Sequence, residues 1–247
     1  IMGVKREYLF MNNEINISLN IKKKYKAAIK RRIKNEPVAY IIGKKEFWSR
    51  NFIVDYSTLI PRPESELLIY KLIHFFKAKS INILDIGTGS GCIIISLLKE
   101  RKNCLATAID LSKESLKVAK INAKMHQLKN RINFYNSSVD NFFKGKYDLI
   151  ISNPPYIEDY KIKCLDRDII CYEPLVSLNG GPSGSLVLNK VIKKSSSLIK
   201  IGGKLVLEIG YDQRFEIMKL LRNGGFYLNK IIKDYAKNDR CVIATKI

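Results

Sequence analysis

The stretch DLIISNPPYIED, residues 148–159, places an Asn, two prolines and a Tyr directly after a run of apolar residues. The apolar run predicts a strand buried on both faces, and it must end at Asn153 because proline cannot continue a sheet ladder. The Asn153 side-chain oxygen and the Pro154 carbonyl can accept hydrogen bonds from both N–H groups of an amide or exocyclic amine. Pro155 stiffens the corner, and Tyr156 offers a ring face to a planar group or a cation. The four residues predict a site for a planar nitrogen nucleophile; the alternative is a strand that prolines merely end.

A second candidate site is the glycine-rich segment DIGTGSG, residues 85–91. Its three glycines let the backbone approach a ligand where a Cβ would clash. Asp110 ends the next predicted strand, 19 residues after Gly91, where a carboxylate can accept hydrogen bonds from ribose hydroxyls. The glycine spacing is one residue short of a dinucleotide fingerprint, which indicates a different nucleoside ligand. A tight packing turn and an exposed carboxylate at a strand end are the alternatives.

The elements that must position these residues alternate between strand and helix from residue 81 onward. Strands are predicted at 81–87, 104–110, 131–136, 147–153 and 203–210, and helices at 91–101, 112–128, 184–200 and near 212–223. This alternation is typical of a mostly parallel sheet with helices on both faces. Two closing strands, 226–234 and 240–247, are joined by five residues and are expected to pair antiparallel. The glycine segment, Asp110 and Asn153 then share one edge of the sheet.

The start of the chain differs in composition from this alternating part. Residues 1–35 carry ten Lys or Arg and two Glu. Residues 22–33 predict a surface helix and a candidate docking face, with one apolar side formed by Tyr25, Ala28, Ile29 and Ile33. Residues 36–63 alternate apolar and polar residues before two prolines, which predicts a hairpin linker. We therefore expect a helical part at 1–35, a linker at 36–63 and a sheet domain at 64–247; the absence of an initiator Met leaves open a truncated start.

The bulk composition limits the possible partners and compartment. A net charge of +21 suits a polyanionic partner, although lysines spread along the whole chain also suit a solvated surface. The chain lacks both an apolar run of about 18 residues and the apolar core of a secretory signal, so we expect a cytoplasmic protein without a membrane contact. Five scattered cysteines without a C-x-x-C pair, and two histidines, suggest neither disulfides nor a metal site.

Several segments resemble known families. Asp85 before the glycines and the antiparallel last strand resemble the class I S-adenosylmethionine (SAM) methyltransferases, Rossmann-like domains whose last strand lies between the fifth and sixth. The segments RRIKNEPVAYIIGKKEFWS, LIPRPESE, ILDIGTGSG, SNPPYI, YEPLVSLNGG and DYAKNDR together resemble the HemK/PrmC release factor glutamine methyltransferases, from about residue 3 to the end. The expected fold is therefore α/β, a seven-stranded mixed sheet with a short N-terminal helical part and a β-hairpin linker.

The resemblance implies a function and a set of site residues. Members of that family methylate the glutamine of the GGQ loop in peptide-chain release factors, with SAM as donor, S-adenosylhomocysteine as product and no metal. By position, the cofactor-binding residues would be Gly87, Thr88, Gly89, Ser90, Gly91, Asp110, Val139 and Asn153. Asn153, Pro154, Pro155 and Tyr156 would bind the glutamine, with Asn153, Pro154 and Tyr156 as the catalytic residues. Arg62 and Pro63 resemble the segment that closes over the SAM site.

One departure from the family pattern concerns the adenine contacts. Family members usually carry an acidic residue and an aromatic residue after the third strand of the sheet domain. This chain has SSVDNF there, so Ser138 and Val139 would take those places, or Asp140 if the loop shifts.

Two other function classes remain as alternatives. N-P-P-Y also occurs in amino methyltransferases that act on adenine N6 or guanine N2, and an N6-adenine DNA or RNA methyltransferase would suit the positive charge. However, no segment is long enough for a separate target-recognition domain. A non-enzymatic basic RNA-binding protein is disfavoured by the combination of glycine loop and N-P-P-Y. We expect a monomer with release factors as partners, for which direct nucleic-acid binding is possible but not required.

Overall fold

The computed structural model describes residues 1–12, 14–75 and 80–247. The chain begins with three helices and a hairpin: α1 (Arg6–Met11), α2 (Leu19–Ile33), α3 (Val38–Ile42), β1 (Lys44–Phe47) and β2 (Arg50–Ile53). The side chain of Ser18 caps α2 by accepting a hydrogen bond from the Ile21 N–H. None of the residues of α2 is buried. The predicted apolar face of this helix is therefore open to solvent rather than packed on the sheet.

In the described part of the chain, seven further strands form one mixed sheet. They are β3 (Asn82–Ile86), β4 (Leu105–Asp110), β5 (Ile132–Asn136), β6 (Tyr147–Ser152), β7 (Ile199–Glu208), β8 (Phe226–Lys233) and β9 (Asp239–Lys246). The order across the sheet is β5-β4-β3-β6-β7-β9-β8, and only β9 runs antiparallel to its neighbours. The last strand thus lies between the fifth and sixth strands of the sheet, which confirms the predicted fold class.

Helices cover both faces of the sheet. The helices that follow the hairpin in the described chain are α4 (Glu66–Phe75), α5 (Cys92–Glu100), α6 (Lys113–Met125), α7 (Asp159–Ile162), α8 (Arg167–Tyr172), α9 (Leu186–Leu198) and α10 (Arg214–Asn223). Successive residues of β3 point to opposite faces, so Ile83 joins one apolar cluster while Leu84 and Ile86 join the other. This burial on both faces explains the unbroken apolar runs in the central parallel strands.

The hairpin is packed against the sheet domain. Phe47 and Phe52 are buried in the same apolar cluster as α4 and α5. Asn122 of α6, also buried, accepts a hydrogen bond from the Ile53 N–H at 2.8 Å and donates to the Ile53 carbonyl at 2.9 Å. The same amide group donates to the carbonyl of Ser90 at 2.8 Å. One side chain therefore joins the hairpin to the glycine loop.

Most predicted elements are present within a few residues of their expected bounds, with some differences. Strand β7 begins at Ile199 rather than residue 203, because Ile199 still pairs with Tyr147 across an irregularity in the ladder. Helices α4, α7 and α8 lie in segments for which no element was predicted. The hairpin occupies only residues 44–53 of the predicted linker, with α3 before it and an irregular segment after it. Within the described ranges, no helix is long and apolar enough to cross a membrane.

Candidate active site

The glycine loop connects β3 to α5 at the carboxyl edge of the sheet. The N–H groups of Gly87 and Thr88 both donate to the Ile109 carbonyl, at 2.9 and 3.0 Å, which fixes the loop beside the end of β4. Gly87 and Gly89 have φ values of 75° and 55°, and a Cβ at either would meet no atom of the described chain within 4 Å. Side-chain packing therefore does not require glycine at these two positions. A tight packing turn would have required it. Backbone conformation and an open cradle for a ligand account for them.

Gly91 has a different role in the same loop. Its φ is 79°, and a Cβ there would meet Ile95 Cδ1 at 3.0 Å and Ala119 Cβ at 3.4 Å. This glycine lets the loop pack closely on α5 and α6, behind the residues that line the cavity. Gly91, which was predicted to bind the cofactor, therefore supports the glycine loop from behind.

Asp110 holds the loop through its carboxylate. Oδ2 accepts the Gly89 N–H at 2.8 Å and Oδ1 accepts the Ser112 N–H at 2.9 Å. Burial raises the pKa of the Asp110 carboxyl, and the N–H donors of Ser112 and Gly89 partly offset that rise. The N–H of Leu111 also acts on the carboxylate, whose two oxygens together can accept about four hydrogen bonds, so capacity remains for a further donor. The carboxylate is thus placed at the cavity wall with capacity for hydroxyl groups.

These residues line a cavity of about 260 Å³. Of the predicted cofactor-binding set, its walls include Gly87, Thr88, Gly89, Ser90, Asp110, Val139 and Asn153. Ser138 and Asp140 also reach it, so the segment after β5 does form one wall. Apolar side chains such as Ile109 and Leu111 provide a surface for a planar ring system.

Two cationic side chains line this cavity, and each is paired with a carboxylate. Arg62 donates to Glu173 at 2.5 Å, and Lys190 lies 3.1 Å from Asp140. Glu173 is buried and also accepts the Ile60 N–H at 3.1 Å, so it holds the predicted closing segment over the cavity. Because these two positive charges are neutralised locally, the cavity can accept a cationic ligand such as a sulfonium.

The N-P-P-Y corner separates this cavity from a smaller one. Asn153, Pro154 and Pro155 line both, whereas Tyr156 lines only the smaller cavity of about 130 Å³. Arg62 also borders both. The four residues predicted to bind a planar amide therefore lie together, directly beside the predicted cofactor residues.

The loop at residues 178–184 holds the backbone of this corner. Ile157 donates to the Leu178 carbonyl at 3.1 Å and accepts the Gly180 N–H at 2.8 Å. A Cβ at Gly180 would meet the Tyr156 Cα at 2.8 Å and would also collide with the Gly184 carbonyl oxygen. Only glycine fits at this approach, which explains the glycine at position 180 of the segment NGGPSG.

The prediction missed three polar residues beside the corner, of which Ser65 lines the larger cavity and Glu208 the smaller one. Asn153 Nδ2 donates to Ser65 Oγ at 3.2 Å, and Ser65 Oγ donates to Glu208 Oε2 at 2.5 Å. Tyr156 Oη donates to Glu208 Oε1 at 3.2 Å and accepts from Arg240 at 3.4 Å. One signal was present in the sequence: Glu208 interrupts the apolar run LVLEIG of a central strand, and a charge in such a position needs partners.

The part of the chain that the structure describes contains no group of three or more His, Cys, Asp or Glu arranged to hold a metal ion. Cys92, Cys104 and Cys241 are buried thiols, whereas Cys164 and Cys171 are exposed. Burial raises the pKa of the Cys92 thiol to about 12, so this cavity-wall residue stays a neutral thiol.

Two family models and several curated relatives match the chain. The Methyltransferase small domain family matches residues 63–219, and the PrmC N-terminal domain family matches residues 1–43. The release factor glutamine methyltransferase of Buchnera aphidicola subsp. Schizaphis graminum is 37% identical over 246 residues, covering 100% of this chain and 89% of that protein. The release factor glutamine methyltransferase of Coxiella burnetii is 38% identical over 248 residues, covering 100% and 88%.

The fold is also found among solved structures. A methyltransferase structure from Pyrococcus furiosus superposes with a TM-score of 0.59 at 20% identity, covering 88% of this chain and 98% of that one. This likeness supports the seven-stranded methyltransferase fold. Together with the two family matches and the full-length relatives, it confirms the resemblance read from the sequence motifs: the chain is a methyltransferase and belongs to the HemK/PrmC family of release factor glutamine methyltransferases.

Proposed function

We propose that the protein transfers a methyl group from SAM to the side-chain amide nitrogen, N5, of the glutamine in the GGQ motif of peptide-chain release factors. S-adenosylhomocysteine is the second product, and the modification supports translation termination. The observation that carries the proposal is that Asn153, Pro154 and Pro155 line both cavities. A cofactor site and an amide site therefore adjoin at the residues suited to hold the reacting nitrogen.

The larger cavity is the proposed SAM site. Gly87 and Gly89 leave an open cradle, Asp110 offers lone pairs to ribose hydroxyls, and Val139 with Leu111 provides apolar contact for the adenine ring. When bound, SAM supplies a methyl group on a sulfonium centre that a nitrogen can displace. The proposal requires no metal ion.

The smaller cavity is the proposed glutamine site. An amide nitrogen is a poor nucleophile because its lone pair is delocalised. The Asn153 oxygen and the Pro154 carbonyl accept its two N–H groups and draw the nitrogen toward tetrahedral geometry. Tyr156 offers its ring face to the planar amide, and the prolines limit the entropy lost on binding. The product nitrogen then releases its proton to water, so no strong base is needed before attack.

Release factors are the proposed protein partners, in the cytoplasm, with the enzyme acting as a monomer. Residues 1–35 and the linker at 36–63 are the proposed docking parts, and 64–247 the catalytic domain. Helix α2 supports this assignment because Tyr25, Ile29 and Ile33 are exposed on it. Direct binding of nucleic acid is not part of the proposal.

Labelled SAM distinguishes this function from the N6-adenine alternative. The purified protein is incubated with methyl-labelled SAM and a release factor, a release factor whose GGQ glutamine is replaced by alanine, or DNA and RNA. We expect label on the unaltered release factor alone. Label that persists after the glutamine is replaced, or that appears on nucleic acid instead, contradicts the proposal.

A further inference from the structure

Glu208 is a buried carboxylate beside the N-P-P-Y corner, at the wall of the smaller cavity, with 2% of its surface exposed. It lies at the end of β7, where its two oxygens accept from two different hydroxyl groups. Ser65 donates to one at 2.5 Å and Tyr156 donates to the other at 3.2 Å. Ser65 in turn accepts from the Asn153 side-chain nitrogen at 3.2 Å. Glu208, Ser65 and Asn153 therefore form a hydrogen-bond relay, which connects a buried carboxylate to the residue proposed to hold the substrate amide.

The contacts indicate that Glu208 acts as an ionised acceptor. Its 2.5 Å contact with Ser65 lies in the range of a hydroxyl donating to a carboxylate. Burial is the largest effect and leaves the pKa of the Glu208 carboxyl above its ordinary value; the Ser65 hydroxyl, the Arg240 charge and the Tyr156 hydroxyl offset part of that rise. Arg240 donates to Asp234 and to the Ile209 carbonyl, each at 3.2 Å, and these bonds hold it beside Tyr156 and Glu208.

An ionised Glu208 fixes the direction of the whole relay. A carboxylate has no proton to donate, so the single hydroxyl proton of Ser65 must be donated to Glu208. The Ser65 oxygen can then only accept, and the group of Asn153 that faces it must be the NH₂. The Asn153 oxygen is consequently turned away from Ser65. Ser65 lines only the larger cavity, whereas Asn153 lines both, so the Asn153 oxygen is left as the acceptor for a ligand in the smaller cavity.

We propose that Glu208, acting through Ser65, fixes the orientation of the Asn153 amide and thereby restricts the substrate to a side chain that donates N–H groups. The inference rests on the proposed function and deepens it by giving the basis for choosing glutamine over glutamate. A glutamate side chain would set its oxygens against the Asn153 oxygen and the Pro154 carbonyl. Two unpaired acceptors in a buried site disfavour binding strongly. Glu208 is a positioning residue in this scheme, since it acts through Ser65.

Glu208→Gln tests the direction of the relay. The new amide can donate to Ser65, which frees the Ser65 proton for the Asn153 oxygen and competes with the substrate. We expect the side-chain ¹⁵NH₂ resonances of Asn153, assigned by their loss in Asn153→Asp, to move in the ligand-free variant. We also expect single-turnover methylation of the release factor to fall by about 10²-fold, as when one positioned donor or acceptor is lost. SAM affinity should stay unchanged. The ratio of the binding affinity for a GGQ peptide to that for a GGE peptide should decrease.

Three variants separate this role from general stability. Asp239→Asn removes another buried carboxylate of the sheet, paired with Arg214 at 3.2 Å, and should leave the rate and the Asn153 resonances unchanged. Ser65→Ala breaks the relay without altering the buried charge, and it tests the same prediction should Glu208→Gln not fold. In the Ser65→Ala background, adding Glu208→Gln should reduce the rate little further, because both act through one contact.

The possible outcomes separate the inference from the proposed function. Unmoved Asn153 resonances in both relay variants overturn the inference, as does an unchanged ratio of GGQ to GGE binding. A wild-type protein that labels no release factor overturns the proposed function, whereas the resonance measurement still decides the orientation of Asn153. Additive losses of rate in the double variant would mean that Glu208 does not act through Ser65.

Discussion

At the scale of single residues, Asn153 presents two chemically different ends of one amide to two environments. Its NH₂ group contacts Ser65, while the residue itself lines both cavities. Aspartate at this position has nearly the same shape, but it carries a charge and cannot donate to Ser65. Substitutions of Asn153 therefore distinguish the effect of side-chain shape from the effect of hydrogen-bond direction.

Asn153→Ala and Asn153→Asp should both bind SAM yet methylate slowly. Loss of one positioned contact reduces the rate by about 10²–10³-fold. The added charge of Asn153→Asp can attract the sulfonium and stabilise the ground state rather than the transition state. We expect its SAM affinity to equal or exceed that of the wild type. Single-turnover methylation and calorimetry check both points; near-normal methylation by either variant would leave the corner with a purely structural role.

Asp110→Ala should weaken SAM binding by about 1.5–3 kcal/mol through lost charge-assisted hydrogen bonds. Because Asp110 also accepts the Gly89 N–H, part of this loss comes from a looser loop. Asp110→Asn is the matched control, since it keeps one acceptor oxygen while removing the charge, and its loss should be smaller. Calorimetric titration of SAM into each folded variant measures both. Unchanged affinity in Asp110→Ala contradicts the ribose assignment.

Asp85 should make stability depend on pH. It is buried below the glycine loop, and burial raises its pKa from 3.8 to about 7 despite the Thr88 hydrogen bond. The folded state then holds a proton that the unfolded state has lost, so the free energy of unfolding falls as pH rises from about 4 to about 7. Above that range the loss is complete.

Asp85→Asn cannot ionise and still accepts from Thr88. At pH 8 it should be more stable than the wild type by about 2–4 kcal/mol, and the difference should vanish near pH 4. Urea unfolding of the ligand-free proteins across this range provides the measurement. A stability difference that does not change with pH would contradict the assignment.

At the scale of elements, the loop at residues 178–184 determines the position of the N-P-P-Y corner. Gly180→Ala introduces a Cβ that collides with the Gly184 carbonyl and meets the Tyr156 Cα at 2.8 Å, so the backbone must shift. We expect a loss of about 1–3 kcal/mol in stability, as for other overpacked sites, together with slower methylation. Ser183→Ala in the same loop should change neither. Thermal unfolding and single-turnover methylation rates are measured for both variants and the wild type. A Gly180→Ala variant as stable and as active as the wild type would contradict the close approach.

Local sequence predicted the elements that end at the site, because each carries its own signal. The glycine loop, Asp110 and Asn153 all directly follow apolar strands, and parallel pairing brings such strand ends together. The contact between Ser65 and Glu208 joins residues 143 positions apart through side chains alone. No periodicity or spacing marks that pair, so only the fold reveals it. The start of β7 was missed for a related reason: GlyGly at 202–203 suggests a break, yet pairing with β6 continues the strand.

At the scale of the whole molecule, the exposed apolar residues of α2 should contribute to docking of the release factor. Ile33 is 74% exposed, although it lies on the apolar face of its helix. We expect Ile33→Asn to raise KM for the release factor about fivefold or more, equal to a loss of about 1 kcal/mol in binding. SAM affinity should not change.

Ile201→Asn is the matched control for docking, because Ile201 is 78% exposed on β7, outside α2 and the linker. Its KM for the release factor should equal that of the wild type. Measuring KM at several salt concentrations adds a test of the basic residues around Ile33, since screening weakens attraction between exposed charges. Equal KM values for Ile33→Asn and the wild type would exclude this surface of α2.

The amide of Asn122 has a consequence for motion. It holds both the N–H and the carbonyl of Ile53 in the hairpin, and the carbonyl of Ser90 in the glycine loop. The loop cannot open at Ser90 without breaking a bond of the group that also anchors the hairpin. Local opening of the two segments is therefore one cooperative event rather than two. The exchange rate of the Ile53 amide proton with solvent becomes a reporter of how often the glycine loop opens, although Ile53 lines neither cavity.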